Sequence, residues 1–131
     1  MSAEQTTGRV WNRRRTEKQR RLAEARVSGK VIPTDQLVAA LEQLLAPGAR
    51  VEMVGNNQKQ ADFLSRMLAE VNPQKIHDLH MIMPSVGRSE HLDLFEKGIA
   101  RKLDFSFSGT QSLRISQLLE DGLLEIGAIH T

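Results

Sequence analysis

After residue 33 the sequence alternates between two hydrophobic periods, and that alternation limits the fold more than any other feature. Val51-Glu52-Met53-Val54 is a short strand pattern behind Pro47-Gly48. Leu79-His80-Met81-Ile82-Met83 is a second, apolar enough for a strand covered on both faces. Leu103, Phe105 and Phe107 alternate with Asp104 and Ser106, and residues 123–129 make the fourth run. Helical patterns lie between them. Pro33-Thr34-Asp35 opens the first, with Thr34 or Asp35 near the cap, followed by Leu37, Leu41, Leu44 and Leu45. Asn57 and Gln60 have capping-box spacing ahead of Phe63, Leu64, Met67, Leu68 and Val71. Ser89 caps a helix carrying Leu92, Phe95 and Ile99. Ser108-Gly109-Thr110 opens another, with Leu113, Leu118 and Leu119, closed by Gly122. Strands separated by helices need crossover connections. The predicted fold is therefore α/β, a mostly parallel sheet built from right-handed βαβ units.

Charge divides the chain differently. Residues 1–30 hold nine Lys/Arg against three acids, and residues 31–131 hold nine against thirteen. The expected organisation is a basic arm over 1–30 and an α/β body over 31–131. Residues 1–10 are polar and read as disordered or loosely docked, whereas 12–27 are rich in helix formers, with Glu17 and Arg21 at i,i+4. The arginines admit two readings: a nucleic-acid or other anionic partner, or a solvated arm that docks on protein. The second is favoured, because Trp11 is the arm's one aromatic and the body is acidic. The 131 residues contain no cysteine, which removes disulfides, thiolate zinc sites and cysteine nucleophiles. No apolar run approaches the ~20 residues of a membrane span. The N-terminus has no apolar signal core, and a cytoplasmic protein without a metal site is expected.

In an open parallel sheet, ligands bind beyond the carboxyl ends of the strands. Four small or polar junctions fall there: Gly55-Asn56-Asn57-Gln58, Pro84-Ser85, Ser108-Gly109-Thr110 and His130-Thr131. In the first, Gly55 permits close backbone approach and the amides offer donors and acceptors to an anion at a helix start. The alternative, that Asn57 is only a cap, stays open. It is neither a P-loop nor a dinucleotide fingerprint. At the third junction a Thr110 cap is the simpler account. His80 reads as a satisfied core histidine, and His77 and His91 have no partner at ligand spacing. Asp62 and Asp78 read as surface or capping groups, and Met53, Met67, Met81 and Met83 as packing.

Longer strings carry a family resemblance. Gly55-Asn56-Asn57-Gln58-Lys59-Gln60-Ala61-Asp62-Phe63-Leu64, His77-Asp78-Leu79-His80-Met81 with Pro84-Ser85, and Glu90-His91-Leu92-Asp93-Leu94-Phe95 are three of them. Leu103-Asp104-Phe105-Ser106-Phe107, Gln111-Ser112-Leu113-Arg114-Ile115, Gln117-Leu118-Leu119-Glu120-Asp121-Gly122 and residues 125–131 continue them. Trp11-Asn12-Arg13-Arg14-Arg15 and Ser28-Gly29-Lys30-Val31-Ile32-Pro33-Thr34-Asp35 agree. Over roughly residues 9–131 the chain resembles the alpha subunit of biotin-independent malonate decarboxylase.

The resemblance implies a coenzyme A transferase-like fold and an acyl-carrier-protein transferase. Acetyl on the carrier thioester is exchanged for malonate, giving malonyl-carrier protein and acetate; decarboxylase subunits then act on the malonyl thioester. The thiol belongs to a phosphoribosyl-dephospho-coenzyme A group on the carrier protein. The binding site implied here is Gly55, Asn56, Asn57 and Gln58, with Ser108 and Gly109 next, positioning thioester or carboxylate. The family's chain is several times longer, and the glutamate that forms the acyl intermediate in coenzyme A transferases lies in a second half. No catalytic residue is therefore carried over, and residues 1–131 alone are expected to lack turnover. The alternatives are a citrate lyase alpha subunit, a coenzyme A transferase proper, or a nucleic-acid-binding or scaffold protein acting through the arm.

Overall fold

A computed structural model describes residues 3–25, 29–54, 61–106 and 109–129, with side chains from residue 8 onward. Two units divide at residue 45. The first holds α1 (Ala3–Glu24), a 3-10 turn over Thr34–Gln36 and α2 (Leu37–Leu44). Helix α1 begins well inside the stretch expected to be disordered or loosely docked. Gly8 disfavours a helix there most, by about 1 kcal/mol, and the ion pairs of the following turns favour propagation. Arg20 bridges Glu17 at 2.7 Å and Glu24 at 2.6 Å. The predicted Thr34 or Asp35 cap is not made. Backbone alone starts the turn, with Gln36 N–H donating to Pro33 O at 3.0 Å. Helix α1 packs on α2. Arg21 donates to Leu45 O at 2.9 Å, satisfying a carbonyl at the carboxyl end of α2.

The second unit is the α/β layer. Strands β1 (Arg50–Glu52), β2 (Leu79–Ile82), β3 (Ala100–Phe105) and β4 (Glu125–Ile129) form one parallel sheet in chain order. They are connected by α3 (Asp62–Ala69), α4 (Ser89–Glu96) and α5 (Ser112–Glu120). Right-handed crossovers that always advance in one direction lay their helices on one face, and α4 indeed lies between α3 and α5. Under that layer Leu79, Met81, Met83, Leu103 and Phe105 are buried, with Leu68, Leu92, Phe95, Ile115 and Leu118. On β2 the opposite positions, His80 and Ile82, are only half-buried. The expectation of equal cover on both faces of β2 is corrected accordingly: this unit's helices serve one side.

Two irregularities break the ladder. Leu79 pairs Ala100 but His80 pairs Lys102, so Arg101 is left over, exposed. Leu103 pairs Ile126 but Phe105 pairs Ile129, so Gly127 and Ala128 together oppose Asp104. A side chain repairs this second gap. Asp104 Oδ1 accepts the Ala128 N–H at 2.8 Å.

Candidate functional site

All four strands point the same way, so their carboxyl ends share one edge. Backbone bonds tie that edge together: Met53 N–H to Ile82 O and Met83 N–H to Asp104 O, both 3.0 Å, and Ser106 N–H to Pro84 O, 3.1 Å. Beyond β1, Ala61 N–H donates to Val54 O at 3.3 Å, closing the base of the 55–60 segment. Ser65, fully buried in α3, fixes that base. Its Oγ donates to Ala61 O at 2.6 Å and lies 2.8 Å from the sulfur of Met53. Ser65 was invisible to periodicity, being one small polar residue inside an apolar stripe.

Gly55, Asn56, Asn57 and Gln58, the capping-box pair Asn57 and Gln60, Phe107, Ser108, His130 and Thr131 lie outside the described residues. Gly109 is described: it is exposed, with φ +51°, a conformation that favours glycine. Its carbonyl accepts Ser112 Oγ at 2.7 Å. The predicted Thr110 cap is replaced by a 3-10 turn over Gly109–Gln111, with α5 starting at Ser112. β2 lies between β1 and β3. At ~4.8 Å per strand, the loop bases after β1 and β3 are therefore about 10 Å apart.

Charged groups rim the helix starts. Asp62 is the first residue of α3 rather than its cap, and its Oδ1 accepts the neighbouring Phe63 N–H at 2.7 Å. Its Oδ2 is 3.6 Å from Arg88, which also stands 3.6 Å from Glu90. Ser89 is the first residue of α4 rather than its cap, and its hydroxyl turns to Glu90. Arg114 on α5 reaches back to Asp93 at 2.7 Å, Glu96 at 2.8 Å and Ser89 O at 2.9 Å. Partial burial opposes its charge, but the hydrogen bonds to Asp93 and Glu96 outweigh this and raise its pKa. A groove of about 330 Å³ lies between α3 and α4, lined by Phe63, Arg66, Met67, Glu90, Asp93 and Lys97. Sequence reading did not single it out.

The histidines redistribute the expectations. His80 is half-buried rather than a core residue. Its Nε2 stands 2.9 Å from Asp104 Oδ1, without the alignment of a hydrogen bond, and Arg50 Nε reaches its Nδ1 at 3.4 Å. This cluster depends on strand register, so spacing along the chain did not reveal it. His77 pairs with its neighbour Asp78 at 2.7 Å. His91 is the buried one, 1% exposed, with neither ring nitrogen hydrogen-bonded. Burial pushes its pKa down. Among the described residues no group of three or more His, Asp or Glu could hold a metal ion, and no helix is long and apolar enough to cross a membrane.

With this geometry in view, comparison with known proteins is specific. The family "malonate decarboxylase, alpha subunit, transporter" matches residues 10–131. An acetyl-S-ACP:malonate ACP transferase of Malonomonas rubra is 42% identical over 126 residues, spanning 94% of this chain and 23% of that protein. A malonate decarboxylase alpha subunit from Acinetobacter baumannii superposes with TM-score 0.89 at 70% identity, over 92% of this chain and 23% of that one. A Pseudomonas malonate decarboxylase hetero-tetramer, solved in complex with malonate, gives TM-score 0.89 at 76% identity, over 92% and 22%. The chain spans less than a quarter of the length of each of these relatives.

Proposed function

The chain belongs to the malonate decarboxylase alpha-subunit family, and on that premise we propose that it forms the N-terminal part of an acyl-carrier-protein transferase. The reaction is exchange at a thioester: the acetyl–sulfur bond breaks, acetate leaves, and malonate becomes the new acyl group on the same sulfur. The family match over residues 10–131 carries this reading. The chain has no cysteine, which accords with a thiol supplied by a carrier protein, as phosphoribosyl-dephospho-coenzyme A. When bound, that group supplies the sulfur that holds the acyl chain. Further partners are the decarboxylase subunits, and the compartment is the cytoplasm.

Within this reading the chain's own residues bind and orient. Gly55, Asn56, Asn57 and Gln58 follow β1 at the carboxyl edge, where a parallel sheet presents its ligands. Amide side chains there can hydrogen-bond a thioester carbonyl, a pantetheine amide or a carboxylate. Ser108 and Gly109 serve the same edge after β3. Among the described residues at this rim, Arg88 is engaged with Asp62 and Glu90. Residues 1–131 furnish binding groups; the nucleophile is assigned to the remainder of the longer protein.

The test is the double variant Asn56→Ala with Asn57→Ala in the full-length subunit. Transfer from acetyl-carrier protein to malonate should fall by about 10-fold or more with the melting temperature unchanged; unchanged kinetics would remove the assignment. Offering citrate and acetate beside malonate separates the malonate-specific reading from a citrate lyase or coenzyme A transferase activity.

A further inference from the structure

His91 breaks the pattern of the helix that carries it. It lies one turn before Phe95 and beside Leu92, on the buried face of α4 that also holds Leu94. These three neighbours are apolar. An apolar side chain at 91 would complete their stripe, yet the position holds an imidazole that is 1% exposed. Neither ring nitrogen has a hydrogen-bond partner among the described residues. Burial also holds the ring's pKa below its ordinary value, so at neutral pH it carries one N–H donor and one acceptor nitrogen. Buried polar groups are almost always paired, and an unpaired one keeps its full desolvation penalty. Such local costs are tolerated where function needs the group. Its place in the fold agrees. His91 is in the first turn of an eight-residue helix that follows β2 at the carboxyl edge of the sheet. No side chain caps that helix start. Its N–H groups and dipole favour an oxygen anion there.

We propose that His91 is a further binding residue of the carboxyl-edge site, donating its ring N–H to an acyl oxygen of the substrate, the carboxylate of malonate or the carbonyl of the carrier thioester. This rests on the transferase reading above. The ring is covered at rest, so the oxygen reaches it only when the start of α4 lifts. That start is not capped, and the ion pairs of Arg88 beside it are long, both 3.6 Å. A bound oxygen stabilises the lifted state by giving the ring the partner it lacks in the closed one. Solvent is a poorer partner: the α3–α4 groove is lined by Glu90 and Asp93, on either side of His91, but not by His91 itself. A metal ion is poorer too, since no group of three or more His, Asp or Glu gathers among the described residues. Packing alone does not account for the residue, because leucine fills such a place without burying two polar atoms.

The experiment uses the full-length subunit in its complex. His91→Leu removes the donor, and His91→Gln keeps one. His91→Leu should keep or raise the melting temperature at neutral pH while lowering carrier-protein transfer about 10-fold or more. His91→Gln should recover part of that loss. A raised KM for malonate identifies the carboxylate as the partner, and a raised KM for acetyl-carrier protein identifies the thioester. Full transfer by His91→Leu overturns the proposal. So does a loss of transfer that tracks a lowered melting temperature in both variants, which is how a packing residue behaves. A second measurement does not depend on the variants. Hydrogen exchange of residues 88–92 in the wild-type complex should slow when malonate or acetyl-carrier protein is added, and no slowing by either overturns the proposal. The two readings stay apart: a wild type protected at 88–92 but without transfer counts against the proposed function alone, and an active wild type matched by His91→Leu counts against the role of His91 alone.

Discussion

Gly127 is fixed by a side chain on the neighbouring strand. A Cβ there would collide with Asp104 Oδ1 and come within 2.8 Å of Lys102 Cε. Asp104 holds this position because it accepts the Ala128 N–H where the ladder is broken. Gly127→Ala should therefore destabilise the fold by about 1–3 kcal/mol and speed hydrogen exchange at Ala128. In an Asp104→Ala background, which removes the obstructing carboxylate, the added cost of Gly127→Ala should shrink. Equal costs in both backgrounds would show that the collision is absent. His91 makes a second residue-scale prediction. Desolvation holds its pKa below the ordinary 6.5, with Glu90 working against this and Arg88 with it. A depressed histidine pKa means that the unfolded chain takes the proton first. Stability is then complete above pH 6.5 and is lost as pH falls from there towards the folded-state pKa. His91→Leu should flatten the acid-side decline in melting temperature of the whole subunit. An identical pH profile would mean that His91 has the same pKa in the folded and unfolded chain.

At the scale of elements, Arg114 is the tie between α4 and α5, contacting Asp93, Glu96 and the Ser89 carbonyl with its separate nitrogens. Lysine has one ammonium and cannot reproduce the fork. Arg114→Lys should cost about 1 kcal/mol, discounted for the partial exposure of the pair, and unfolding measured at high salt should narrow the difference. The order of elements was legible because each strand and each helix declares its own period. Their ends were less so. The strand read at 51–54 is described over Arg50–Glu52, and caps expected from Thr34, Ser89 and Thr110 are replaced by 3-10 turns or by backbone. A cap depends on a φ/ψ choice that several nearby residues can satisfy, whereas a buried stripe does not. The carboxyl edge was legible as a place, from the direction of the strands. The His80–Asp104–Arg50 cluster was not, because it exists only once His80 is set beside Lys102 and not Arg101.

For the whole molecule, the direction of winding decides what is left open. Four strands in chain order give β4 one neighbour, β3, among the described residues. Ile126 and Ile129 pair with Leu103 and Phe105, yet their own exposures are 37% and 63% where those partners are 0% and 9%. The helix layer thus ends at α5 while the apolar pattern of the sheet continues across β4. Leu119 and Leu123 add to the same margin, at 37% and 40% exposed. An unpaired strand edge flanked by exposed apolar side chains templates association. The 131-residue polypeptide on its own is expected to self-associate with rising concentration. Ile129→Lys, which places a charge at the more exposed of the two edge isoleucines, should shift it towards monomer. Sedimentation velocity across a concentration series reads both outcomes directly. A wild-type chain that stays monomeric, or an Ile129→Lys chain that associates as strongly, would mean that β4 is not the sticky edge. In either case the apolar margin would have to be covered within one chain.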